Sequence, residues 1–269
     1  MKVNQNWAKL FATLTAMSAA TFSAAQSAEQ GGLEEVVVTA QKRAENLQTT
    51  PIAITALSAN AIKELGISNN KSLFGVVPGL QGFEPPSSRG NLSLNIRGVP
   101  SGNANSVSND PASALYIDGV YVPKGFGVGV DVVDLERIEV LRGPQGTLFG
   151  KNTTAGAINI TSRAPTFTPE AMEEVSYGDY NYVQAKAWGS GPLVGDTLAF
   201  RLSGVVTRRD GVLYNVRLGK HQNDLGNQAI RGQLLWKPTP DLSLRLIADF
   251  TNFTNECCTQ IFLRVGQSL

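Results

Sequence analysis

The stretch RIEVLRGPQGTLFGKNTTAGAINI, Arg137 to Ile160, carries the residue types nearest to a familiar chemistry. Gly150-Lys151 at its centre has the composition of a phosphate-binding loop, in which backbone amides and a lysine hold a nucleotide. Such a loop reads G-x-x-x-x-G-K-[ST]. Here Gln145 stands where the first glycine belongs, and Asn152 stands where the hydroxyl belongs. The spacing excludes a nucleotide site. Gly143, Gly146, Gly150 and Gly156 are read instead as backbone devices for tight turns in a packed domain.

No other grouping supports catalysis. His221 is the chain's one histidine and falls in a polar loop, so no Ser-His-Asp arrangement can be built on it. Cys257 and Cys258 are adjacent in NECCTQ, and two thiols do not make a zinc site, which takes about four ligands. No metal site, cofactor or enzyme activity is read. A formal net charge of +1 over 269 residues gives no electrostatic case for a nucleic-acid partner. Arginine is what is left. Arg97 in NIRGV and Arg142 in LRGP close strand-like runs, where a solvated charge is the plain reading. Further arginines sit inside alternating runs nearer the C-terminus.

The elements that must position these side chains are mostly strands. Turn signals from 27 glycines and 13 prolines recur along the chain, favouring many short strands over a few long helices. Residues 1–28 read as a secretory signal peptide: Lys2 and Lys9, an apolar run from Leu10 to Phe22, then small residues allowing cleavage after Ala25 or Ala28. That run is too short to span a bilayer, and no later segment is long and apolar enough to do so as a helix. A membrane role would therefore use strands. Export places Cys257 and Cys258 where disulfides form. A bond between neighbours is strained, so partners elsewhere in a longer protein are expected.

Residues 29–50 hold a Gly-Gly step, then Glu34 to Ala40, whose three valines favour an extended backbone. The segment is either the first strand of a domain or an exposed strand open to a partner's sheet edge. Residues 51–165 read as a compact α+β domain. PIAITAL is a strand, and Ser58 caps a short helix over 59–65 that stops at Gly66. Asp118-Gly119 joins two apolar runs as a hairpin, and RIEVLRG and GAINITS are strands.

From residue 170 to 269 the pattern changes. Leu198, Phe200, Leu202, Gly204 and Val206 alternate with Ala199, Arg201, Ser203, Val205 and Thr207, and two later runs repeat the scheme. An apolar face at period two over about ten residues is the pattern of an outer-membrane barrel strand. A soluble sandwich gives a similar alternation, but arginines on the polar face favour a barrel with a wet interior. GSGPLVGD and KPTPD are read as short periplasmic turns, with Trp188 and Trp236 in the aromatic girdle beside them. RDGVLYNVRLGKHQNDLGN is read as a long external loop. The five strands expected here cannot close a barrel, which needs about 8 or more.

The motifs EEVVVTAQKRAENLQTTPIAITALS, NIRGV, YIDGVYV and LERIEVLRGPQGTLFGKNTTAGAINITSRAP occur in this order. Together they resemble the plug domain of TonB-dependent outer-membrane receptors over Leu33 to Pro165, and the later strands resemble the start of that family's barrel. The resemblance implies an α+β plug domain followed by antiparallel transmembrane β-strands of an incomplete β-barrel; a full barrel of this kind has about 22 strands. It also implies a Gram-negative outer-membrane location, with the plug accessible from the periplasm. The implied function is import of a scarce small molecule such as a ferric siderophore, powered through the TonB protein of the inner membrane.

Carried over by residue, Glu35, Val36, Val37, Val38, Thr39 and Ala40 match the TonB box, which pairs as a strand with TonB. Arg97 and Arg142 match plug arginines that face carboxylates of the barrel wall, here expected beyond Leu269. Gly98, Gly143, Gly146 and Gly150 match positions that serve backbone geometry. Most of the barrel is missing. The chain is thus expected to be the N-terminal part of a receptor. The competing expectation is a secreted periplasmic plug-like binding module, or a truncated remnant that transports nothing.

Overall fold

The computed structural model describes residues 37–39, 42–43, 45–67, 70–83, 93–100, 110–123 and 134–254, all within one compact unit that begins at Glu35. The expected signal peptide, Glu35, Val36, Ala40, Cys257 and Cys258 lie outside these residues.

Residues up to Ser162 build around one mixed sheet. Its strands are β3 (Ile54–Ser58), β7 (Ser113–Ile117), β8 (Val120–Val122), β9 (Leu135–Arg142) and β10 (Gly156–Ser162), in the order β3-β9-β10-β7-β8. β10 runs parallel to β7 and antiparallel to β9. Strand alternation gives the sheet two different faces. One carries Leu57, Leu115, Ile138, Val140, Ile158 and Ile160 into the main core. The helix α1 (Ala59–Glu64) covers part of it with Ile62, and Ser58 caps that helix by accepting from the Ala61 amide at 3.4 Å. A 3-10 turn (Asn70–Gly75) buries Leu73 in the same core. The small sheet of β4 (Leu80–Phe83), β5 (Ser93–Ile96) and β6 (Val99–Pro100) adds Leu80, Leu94 and Ile96. The other face holds small and polar residues: Ala114, Tyr116, Glu139, Ala157 and Asn159. Two short elements come before the sheet, β1 (Val37–Val38) and β2 (Glu45–Asn46), paired antiparallel.

The glycine-rich stretch is structural. The single helical turn α2 (Gly146–Phe149) ends at Gly150, which has φ 78°, and Gly143 has φ 113°. Gly156 starts β10 so close to β9 that a Cβ would lie 2.2 Å from the Leu141 carbonyl oxygen and 2.9 Å from Ile96 Cδ1. Gly156→Ala must push these strands apart, at about 1–3 kcal/mol or more. Amide exchange of β9 and β10 should rise at least about tenfold; unchanged protection would refute this packing argument.

The second part is a five-stranded antiparallel meander: β11 (Glu170–Gly178), β12 (Tyr182–Val194), β13 (Leu198–Arg209), β16 (Leu225–Thr239) and β17 (Leu242–Phe253). The hairpin β14 (Leu213–Asn215) and β15 (Lys220–Gln222) sits within the long β13–β16 connection. The strands are 9 to 15 residues long, enough for a tilted crossing of a bilayer, which takes about 9–11. Val175, Leu202, Ile230, Leu234, Leu246 and Phe250 are exposed on one face, while Gln184, Ser190, Arg201, Ser203, Thr207 and Gln233 are buried on the other. A soluble sandwich buries its apolar face. This sheet does the reverse, as a barrel in lipid must.

Three details differ from the sequence reading. β12 runs through GSGPLV, so the turn shrinks to residues 195–197, and the register shift between Pro192 and Val194 accommodates the proline. β16 likewise runs through Thr239, leaving residues 240–241 as the turn. Trp188 is not part of an outer girdle, because its strand parity turns it to the polar face. Trp236 does face outward and is exposed.

Candidate functional site

The meander's buried face meets the mixed sheet at one end, where Asp118 follows β7, Asp134 precedes β9 and Ser162 ends β10. Asp118 and Asp134 both have positive φ, 49° and 61°, as acidic residues in tight turns tolerate. Asp118 is the first residue of the Asp118-Gly119 turn, and its carboxylate accepts from the Ser162 amide at 2.8 Å and from Ser162 Oγ at 2.9 Å. The Arg163 amide donates to the Asp134 carbonyl at 3.1 Å. These bonds fix two carboxylates at the end of the sheet that leads into β11.

Arginines of the meander receive them. Arg201 on β13 has a side chain 1% exposed. It grips Asp134 in bidentate fashion, through Nε to Oδ2 and through Nη2 to Oδ1 at 2.7 Å. Its Nη1 reaches Glu170 Oε1 at 2.7 Å and the Ala164 carbonyl at 3.3 Å. The guanidinium lies 4.3 Å from the Trp188 ring centroid, a cation–π contact that explains why Trp188 faces inward. Arg231 on β16 donates to Asp118 Oδ2 at 2.8 Å and also pairs with Asp249. Arg245 on β17 donates to Ser162 Oγ at 2.9 Å and to the Ser162 and Arg163 carbonyls at 3.2 Å. Gln233 orients Arg245 from the neighbouring strand, at 2.6 Å. Three adjacent strands thus clasp one end of the sheet. Planar guanidinium forks suit this better than a lysine would.

Arg97 and Arg142 occupy the opposite end. Arg142 closes β9 beside Gly156, and its Nη1 lies 3.4 Å from the Pro78 carbonyl. Arg97, exposed and with φ 54°, donates its amide to the Gly79 carbonyl at 2.8 Å. Both arginines therefore converge on the Pro78-Gly79 corner, with Gly98 and Gly143 close by. Arg142 Nε is buried without a hydrogen-bond partner.

The third feature is the segment at residues 37–39. Val38 is fully buried against Leu141, Leu47, Ile54, Ala56 and Phe149. Burying such a side chain contributes about 1.5–3 kcal/mol. Glu139, whose side chain is 0% exposed, accepts the Thr39 amide at 2.6 Å and the Thr39 hydroxyl at 3.1 Å. Arg137 Nε at 3.0 Å and Asn159 Nδ2 at 3.0 Å complete its shell. Lys42 lies 5.7 Å from the centroid of the Phe149 ring, which also packs against Tyr116. The Tyr116 hydroxyl donates to the Phe149 carbonyl, and burial, then Tyr121 nearby, pushes its pKa above the usual 10.0. The sequence reading noted the turn at Asp118 and the inward arginines. It missed their pairing, since Asp118 and Arg231 are 113 positions apart. It also missed Asp134 and Glu139, which no local pattern marks.

An α+β domain clasped by arginines to strands with an apolar outer face defines a class: a plug held on the inner wall of an outer-membrane barrel. Residues 46–157 match the family model of the TonB-dependent receptor plug domain. The pesticin receptor of Yersinia pestis is 29% identical over 221 residues, covering 81% of this chain and 31% of that protein. The ferrioxamine receptor of Yersinia enterocolitica is 28% identical over 211 residues, covering 78% and 28%. The crystal structure of the ferric yersiniabactin uptake receptor from Yersinia pestis superposes with a TM-score of 0.67 at 25% identity, covering 74% of this chain and 31% of that one. The chain is thus similar to TonB-dependent receptors over their plug and the strands that follow it. It spans about a third of the length of these relatives, all of which are receptors rather than enzymes.

Proposed function

We propose that this chain is the N-terminal part of an outer-membrane receptor that takes up a scarce nutrient such as a ferric siderophore, energised through TonB. The observation that carries the reading is the clasp. Buried ion pairs tie the plug to strands whose apolar face points outward, an arrangement with no purpose in a soluble binding module. The names of the relatives supply the substrate class: ferrioxamine for one, ferric yersiniabactin for another. In this reading residues 1–28 are the signal peptide, 29–50 the TonB box and linker, 51–165 the plug, and 170–269 the first barrel strands. Residues 35–40 are the TonB contact, and the plug is accessible from the periplasm. Arg97 and Arg142 meet carboxylates of later barrel strands, and the partnerless Nε of Arg142 supports that assignment.

The test uses the full-length receptor in cells stripped of their own siderophore receptors. Iron uptake from at least one ferric siderophore should appear, and should stop when the proton gradient is collapsed while surface binding persists. Uptake insensitive to the gradient would overturn the coupling. Secretion of the product as a soluble periplasmic protein would favour the module instead.

A further inference from the structure

We propose that the external rim of the meander binds a phosphorylated glycolipid of the outer leaflet, with Arg208 taking the phosphate. This rests on the reading of the strands as the start of an outer-membrane barrel whose short turns, residues 195–197 and 240–241, are periplasmic. The long β13–β16 connection then lies at the external end. There a cavity of about 470 Å³ opens where the ends of β13 and β16 meet the β14–β15 hairpin. Arg208, Arg209, Asp210, His221, Asp224 and Gly226 are among the residues that line it.

Depth is what points to a lipid headgroup. Arg208 is exposed and shares the outward face of β13 with Leu202 and Val206. It closes that face. Across the sheet its row reads Tyr177, Val183, Arg208 and Gly226, next to the apolar row of Val175, Ala185 and Val206. Tyr177 is 77% exposed, and an exposed aromatic at the end of an apolar band marks the headgroup level. A guanidinium at that level meets phosphates rather than acyl chains, and its planar fork suits them. Beside it, Arg209 Nη2 donates to the Asn223 carbonyl at 2.9 Å, while its buried Nε has no hydrogen-bond partner. Two carboxylates also line the cavity. Asp210 is drawn toward the β11–β12 turn, where it accepts from Asn181 Nδ2 at 2.6 Å, and Asp224 stays beside the arginines. Over residues 208–224 the cationic Arg208, Arg209, Arg217 and Lys220 outnumber these two acids, so the rim favours an anion.

The hairpin supplies an apolar arm. Asn215 Oδ1 accepts from the Arg217 and Leu218 amides at 3.0 and 3.1 Å, which folds its tip. At its base His221 Nδ1 lies 3.1 Å from the Gly211 carbonyl, and the His221 ring packs on Tyr214 with centroids 5.1 Å apart. Val212, Tyr214, Val216 and Leu218 are exposed along it. A cationic cavity beside exposed apolar side chains, level with the top of a lipid-facing surface, fits an anionic amphiphile. A free phosphate would use only the cavity.

The experiment uses purified full-length receptor in detergent, as wild type, Arg208→Gln, Arg208→Lys and Tyr214→Ser, each checked for heat-modifiable migration in a gel. The probe is lipid A, the phosphorylated anchor of that glycolipid, with both phosphates or with one removed. Binding is titrated by native mass spectrometry. Wild type should prefer the bisphosphorylated form. Arg208→Gln should weaken its binding about tenfold and remove the preference, by loss of charge-assisted hydrogen bonds. Arg208→Lys keeps the charge without the fork and should lose about threefold. Tyr214→Ser should lose about threefold through the apolar arm. Equal binding by all four heat-modifiable forms overturns the site, because the lipid is then held by the apolar face at large. Inorganic phosphate binding as tightly as lipid A overturns the lipid as occupant. Loss of ferric siderophore binding in Arg208→Gln, with lipid A binding unchanged, gives the cavity to the cargo and also overturns it. Wild type without heat-modifiable migration overturns the barrel reading itself, whereas heat-modifiable wild type with no preference between the two forms of lipid A overturns the site alone.

Discussion

Arg201→Met is expected to raise amide exchange of Arg163 and the adjoining end of β10 by about a hundredfold or more in the full-length receptor. The substitution is close in volume but leaves Asp134, with a side chain 2% exposed, facing an apolar group. It also removes the charged partner of Glu170 and the nearer of the two guanidinium groups over Trp188. Removing one partner of a buried pair typically costs about 3–5 kcal/mol, because the other charge is left unpaired. The Arg163 amide is the local reporter, since it donates to the carbonyl of Asp134 itself. Arg201→Lys keeps the charge but not the fork, and should fall between the two. The double variant Arg201→Met with Asp134→Asn should recover part of the loss, which would show the effect to be a coupling between these residues rather than a defect of β13. A single-variant change below about tenfold would mean that the barrel closes over the plug without needing this clasp.

The strands were legible in the sequence because period-two alternation is a local signal. GAINITS and RIEVLR became β10 and β9, and Ser58 caps its helix as its position suggests. The inverted burial of the meander was legible too, from arginines set between leucines. What could not be read was pairing. Nothing near Asp134 in sequence announces Arg201, 67 positions away. Glu139, in the middle of RIEVLR, looks like the solvent-facing half of an edge strand. It is buried because β9 lies inside the sheet and its second face is covered by residues 37–39, about a hundred positions earlier. Likewise VVV is open to two readings, a domain strand or an exposed one, and Val38 is buried in a cluster with residues from four other places in the chain. Local pattern specifies which face a side chain takes; what covers that face is settled by topology.

On the proposed reading residues 35–40 pair with TonB, and one substitution tests that role. Val37→Pro in the full-length receptor is expected to abolish TonB-dependent uptake while leaving surface ligand binding nearly unchanged. Proline removes the amide hydrogen and fixes φ, so it breaks a ladder wherever that N–H is used. In the docked state Val37 pairs with Asn46 in a two-residue ladder, and the nearby anchors, Val38 and the Thr39–Glu139 bonds, do not depend on its amide. The docked plug should thus lose little. A strand added to a partner's sheet edge is held by its main chain, so there the same change should be decisive. Val37→Ala keeps every backbone bond and should do much less. Ligand binding and uptake measured on the same cells give the answer. Normal uptake in the proline variant would remove residues 35–40 from the TonB contact. Joint loss of binding and uptake would instead make β1 an indispensable strand of the plug.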